Sequence, residues 1–122
     1  MGGQADELKA RTRRFALDVI QFVQAIPAFD PGVTFRRQLT RSATSVAANY
    51  RASCRARSHS EFTARIAIVA EEADESCLWL DMATASELAP AEGSATLLQE
   101  ARELSAIFST MVRTARRNET RR

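Results

Sequence analysis

PGVTFRRQLTRSATSVAANYRASCRARSHS, residues 31–60, runs directly into EFTARIAIVAEEADESCLWLDMATASELAPAE, residues 61–92. The first stretch carries six arginines and no carboxylate; the second carries eight carboxylates against one arginine. Apolar side chains recur in both at helical spacing, so charge is sorted by helix. In the first stretch Phe35, Leu39, Val46 and Tyr50 share one face. At about 100° per residue, Arg37, Arg41, Arg51 and Arg55 fall within roughly 80° of one another on the opposite face, with Thr44 and Ala48 on the line between them. Four guanidiniums on one ridge are either a docking surface for a polyanion or the basic half of a contact with an acidic helix, its own or a neighbour's. The pattern leaves both open.

The acidic stretch has a main apolar stripe in Phe62, Ile66, Val69, Ala73, Cys77 and Leu80. A second set, Ile68, Trp79 and Met82, projects from the far side, where the surface helix of a monomer shows polar residues. Burial on both faces implies self-association, with Glu72 and Glu75 beside Trp79 placed to meet arginines. Leu17 and Ile20 repeat the argument on the back of the preceding helix.

Flanking segments complete the pattern. A first helix is expected over about residues 5–26, where Leu8, Phe15, Val19, Phe22 and Ile26 align and Pro27, Asp30, Pro31 and Gly32 stop it. The second spans about residues 34–56. Ser58 and Glu61 have capping-box spacing, which opens a third helix over about residues 60–88. After Pro90 and Gly93 a fourth runs over about residues 93–118, with Leu97, Leu104, Ile107, Phe108 and Met111 inward and Arg102, Arg113, Arg116 and Arg117 outward. Residues 116–122 read as a basic tail that frays. Four helices with short links predict an all-α, antiparallel up-down-up-down four-helix bundle, and 122 residues fit a single domain over residues 1–122.

Formal charge is 0 over residues 1–30, +6 over 31–60, −7 over 61–92 and +3 over 93–122. Sixteen arginines to one lysine suit bidentate pairing with carboxylate or phosphate, although a GC-rich genome produces the same bias. No stretch reaches the roughly 20 apolar residues of a membrane span, and the beginning of the chain lacks a signal-peptide apolar run. A cytoplasmic protein is expected. Cys54 and Cys77 lack CxxC spacing and read as small buried or half-buried residues of a reducing compartment.

Enzymatic readings lack parts. His59 is the sole histidine and reads as a capping or solvent-facing residue; it cannot supply the two glutamate-histidine pairs of a ferritin-like dimetal site. Glu71, Glu72, Asp74 and Glu75 cover more than half a helix circumference and cannot converge on a metal. There is no phosphate loop, nucleophile elbow or zinc-ligand cluster. The expectation is no catalytic residue, no metal and no cofactor. Aromatic side chains sit at core positions, so nucleic-acid binding favours structured or duplex ligands over stacking on single strands.

The runs SATSVAANYRASCRARSHSEF, residues 42–62, and IVAEEADESCLWL, residues 68–80, resemble the signature of the bacterial four-helix-bundle family related to the 23S rRNA intervening-sequence protein. The matching positions include Arg41, Ser45, Ala48 and Asn49, then Arg55, Ser58, Glu61 and Phe62, and on the third helix Glu72, Ala73, Glu75, Trp79 and Leu80. Members usually carry a glutamate where this chain has Ala52. The resemblance implies a ring-like homopentamer, similar to the basic accessory protein of diversity-generating retroelements, which binds a reverse transcriptase and nucleic acid. No catalytic residue comes with it. The expected function is RNA or DNA binding through Arg37, Arg41, Arg51 and Arg55, supported by Arg113, Arg116 and Arg117. The expected subunit contact uses Leu17, Ile20, Ile68, Glu72, Glu75, Trp79 and Met82. A protein-interaction scaffold, or an accessory subunit of a reverse transcriptase or other acidic partner, is the competing reading.

Overall fold

The computed structural model describes residues 3–120. All of its regular structure is helical: α1 is Gln4–Phe22, α2 Gly32–Ser53, α3 His59–Ala85 and α4 Ala91–Thr120, with a 3-10 turn Val23–Ala25 after α1. Each helix packs against its neighbour in the chain, and α4 returns to α1 along the thinnest of the four seams. The result is an all-α four-helix bundle.

The seams follow from the periodicity. Phe15, Val19, Leu39, Val46, Ile66, Val69, Leu80, Leu104 and Phe108 fill the centre at 1% exposure or less. Between them Ala43, Ala73, Ala83 and Ala101 are fully buried, and their small side chains let the helix backbones approach. Between α2 and α3 the buried Ser42 and Ser76 hydroxyls lie 2.9 Å apart; one donates to the other, which in turn donates to a carbonyl of its own helix, Leu39 at 3.2 Å or Glu72 at 2.9 Å. Phe35 near the start of α2 meets Trp79 near the end of α3; Asn49 near the end of α2 meets Arg65 near the start of α3.

The helix ends differ from expectation for local reasons. The α1 helix tightens into its 3-10 turn four residues before Pro27. The α2 helix begins two residues earlier than expected, at Gly32, where only glycine fits because any Cβ would lie 2.0 Å from the Pro27 carbonyl oxygen. The α2 helix ends at Ser53, with Cys54 as its cap, three residues short of the expected residue 56. The expected capping box at α3 forms with its second bond displaced by one residue: Ser58 Oγ accepts the Glu61 N–H at 3.0 Å, and Glu61 Oε2 accepts the N–H of Arg57, the residue before the cap, at 2.9 Å. Glu92 and Gly93 are non-helical, with Gly93 at φ 82°, so regular α4 geometry begins at Ser94. Residues 116–120, expected to fray, are helical, while Arg121 and Arg122 lie outside the described residues.

Candidate nucleic-acid interface

The ridge of four arginines is not uniform. Arg41 donates to Glu72 at 2.6 Å and to Glu75 at 2.5 Å, both on α3 of its own chain. Trp79 Nε1 adds a bond to the same Glu75 oxygen at 3.1 Å. The Arg41 guanidinium, followed by the indole N–H, therefore holds the Glu75 carboxyl below the ordinary glutamate range, and the carboxylates in turn raise Arg41. Arg41 is thus neutralised in place, and Glu72 and Glu75 meet their arginine inside the chain rather than across a subunit boundary. Arg37, on the far side of that clamp, is exposed and about 21 Å along the axis from Arg51 at 1.5 Å per residue.

The other half of the ridge gains company. Arg51, Arg55, Arg57 and Arg65 surround a recess of ≈ 440 Å³ floored by Ala48 and Ala52. All four are exposed, and among the described residues none is in an ion pair. Glu61, the one carboxylate lining the recess, caps the backbone of Arg57. Arg65 is braced by Asn49 Oδ1 at 3.3 Å, and Asn49 is held by Ser45 O at 3.0 Å. Arg57 and Arg65 were not singled out by sequence, because they sit in the α2–α3 link and on the acidic helix. Only the turn between the helices brings them to Arg51 and Arg55.

The ends of the other helices join this corner. His59 Nε2 lies 2.8 Å from the Ala115 carbonyl oxygen and bonds it, so the last turns of α4 stand beside the start of α3. His59 is half-buried in this role rather than solvent-facing. Arg113, Arg116 and Arg117, all exposed, therefore occupy the same end of the bundle as the recess. Arginine there also complements the carbonyl ends of α2 and α4. A cluster of unpaired guanidiniums at two helix C-termini is equipped to pair with phosphate oxygens.

The remaining predicted contact residues divide. Leu17, Ile20, Ile68 and Met82 are exposed at 41%, 39%, 38% and 42%, and Leu78, unnoticed in the sequence, at 51%. Trp79 does not join them. Its ring packs edge-on against Phe35 at 5.5 Å, because its position on the wheel faces α2 and not open solvent. Cys54 is exposed, contrary to the expected burial, while Cys77 is half-buried, and both are free thiols. Burial pushes the Cys77 thiol up from its ordinary range. Among the described residues no group of three His, Cys, Asp or Glu side chains converges as a metal site. No described helix is long and apolar enough to cross a membrane.

A crystal structure of a protein with unknown function from the S23 ribosomal protein family of Bacteroides thetaiotaomicron superposes with a TM-score of 0.76 at 21% identity, covering 86% of this chain and 97% of that one. That likeness establishes the fold. No curated protein sequence matches this chain. The model of the 23S rRNA-intervening sequence protein family matches residues 6–110, a span that holds the α2–α3 corner and every seam of the bundle, and the chain belongs to that family.

Proposed function

We propose that this protein is a non-enzymatic, cytoplasmic, homo-oligomeric bundle of antiparallel up-down-up-down topology that binds RNA or DNA through the arginine corner at the junction of α2 and α3. The observation that carries this reading is the unpaired quartet Arg51, Arg55, Arg57 and Arg65 around one recess. The carboxylates of α3 neutralise Arg41 and leave these four alone. Arg113, Arg116 and Arg117 extend the same surface, and Arg41 is no part of it. The family name points to structured RNA as the ligand, in keeping with a recess lined by guanidiniums and by no aromatic side chain; Phe29, 71% exposed and not at a core position as expected, stands in the α1–α2 link instead. A pentamer, as the resemblance implies, would repeat the corner around a ring and multiply weak phosphate contacts.

Binding of this kind is governed by phosphate contacts and is steeply salt-dependent. A fluorescein-labelled RNA hairpin titrated with protein at several salt concentrations tests it. The triple variant Arg55→Gln/Arg57→Gln/Arg65→Gln is expected to bind about tenfold or more weakly and to flatten the salt dependence by about one unit of slope per lost contact. Unchanged affinity in that variant, or wild-type binding indifferent to salt, would sink the reading.

A further inference from the structure

Arg51, Arg55, Arg57 and Arg65 surround a hollow because the floor beneath them is made of Ala48 and Ala52. These two methyl groups stand one turn apart on α2 and leave ≈ 440 Å³ open between the guanidiniums, within the range of about 300–1,000 Å³ that small-ligand sites occupy. Four guanidiniums against the one carboxylate of Glu61 give the lining a surplus of three positive charges. Glu61 is already engaged, its Oε2 accepting the Arg57 N–H at 2.9 Å.

One of the four guanidiniums is aimed in advance. Asn49 Nδ2 donates to Ser45 O at 3.0 Å and to Ser45 Oγ at 2.9 Å, which uses both amide hydrogens and turns Oδ1 toward Arg65 Nη1 at 3.3 Å. A neutral amide orients a guanidinium without cancelling its charge, whereas Arg11 and Arg41 are held by carboxylates. The bond to Asn49 leaves Arg65 four of its five N–H donors.

We infer that this recess receives the phosphate monoester at an RNA end, and that internal phosphodiesters touch only its rim. An internal phosphodiester carries one negative charge, and two of its oxygens are tied into the chain on either side. A terminal monoester carries close to two charges at neutral pH and presents three acceptor oxygens, with chain leaving from one side only. It can enter a hollow walled on several sides, and it answers a surplus of three positive charges with several bidentate pairs. No aromatic side chain lines the recess, so nothing stacks on the terminal base and the end is recognised whatever its nucleotide. The inference rests on the RNA binding proposed above and names the part of the RNA that fills the site.

Three RNA hairpins of one sequence test it, ending in a 5′-phosphate, in a 3′-phosphate, or in hydroxyls at both ends, each titrated by fluorescence anisotropy with the dye in the loop. At least one phosphorylated form is expected to bind about tenfold more tightly than the hydroxyl-ended form, by the same ratio when the terminal base pair is changed. Ala52→Leu fills the floor and leaves every guanidinium in the chain; Asn49→Ala removes the brace from Arg65. In both variants the ratio is expected to fall toward one. A bare extra charge on the RNA would favour the phosphorylated form in wild type and variants alike, so the ratio separates a fitted end from general attraction. Far-UV circular dichroism confirms that the variants stay helical, and Arg65→Gln replaces one that does not. Equal binding of all three hairpins by the wild type, a preference that changes with the terminal base, or a preference that survives in either variant overturns the inference and leaves RNA binding standing. No binding of any hairpin overturns both.

Discussion

Arg41 illustrates how one side chain decides between two readings of a surface. Its guanidinium bridges Glu72, whose side chain is 13% exposed, and Glu75, at 33%. Removing it leaves two carboxylates side by side, one of them nearly buried, without a counter-charge. Arg41→Gln is expected to lower stability by about 1 kcal/mol at neutral pH, the discounted value for a pair that is partly solvent-screened. Its pH dependence has a definite sign. The folded Glu75 carboxyl lies below its ordinary value of 4.5, so its contribution is fully present above that value and is lost as pH falls through the lowered one. Urea titrations of wild type and variant should therefore differ at pH 7 and converge in more acidic buffer. A difference that persists at low pH would mean that packing of the arginine stem, not charge, is what the substitution removes.

The third helix shows which parts of a boundary are written in residue types. Its start was legible, since a serine followed three positions later by glutamate supplies two backbone bonds at the helix entry, one from the Glu61 N–H to Ser58 and one from the Arg57 N–H to Glu61. Its end was not. The chain leaves α3 through Glu87 at φ 63°, with the Leu88 N–H reaching the Ala83 carbonyl at 3.0 Å and the Glu87 N–H reaching Thr84 at 3.0 Å. That is a Schellman closure, whose left-handed position usually holds glycine; a glutamate there gives no signal to read. Glu87→Gly is expected to stabilise the protein by about 0.5–1 kcal/mol by relieving the Cβ contact of the left-handed conformation, measured as a rise in the denaturant midpoint at constant slope. Trp79 was misread for a related reason. A helical wheel reports the angle of a side chain and not which neighbour stands at that angle, and Phe35 of α2 stands there. The core stripes, by contrast, needed no neighbour to be recognised, because burial repeats with the helix period itself.

The bundle as a unit is closed unevenly. Its thin α1–α4 seam is pinned by Arg11, which grips Glu100 through two bonds at 2.8 and 2.7 Å and reaches Glu103 at 2.9 Å. These carboxylates raise Arg11 above its ordinary value. Arg11→Ala is expected to cost about 1 kcal/mol and, more tellingly, to quicken amide hydrogen exchange in α1 while leaving α2 and α3 protected. Uniform acceleration across all four helices would show that α1 does not open on its own. Neither this clip nor the arginine corner was visible along the chain, since both join residues that only the bundle brings together, Arg11 with Glu100 and Arg57 with Arg51. What could be read was the segregation of charge, which arises within single helices.

The chain's only lysine, Lys9, stands with Leu17 and Ile20 along a groove of ≈ 710 Å³ between α1 and α2. A succinimidyl dye consequently has one side-chain amine to acylate, while every guanidinium escapes it. Attached there, the fluorophore becomes a sentinel for whatever fills that cleft, dimming or brightening as neighbours arrive, and the nucleic-acid surface stays chemically untouched.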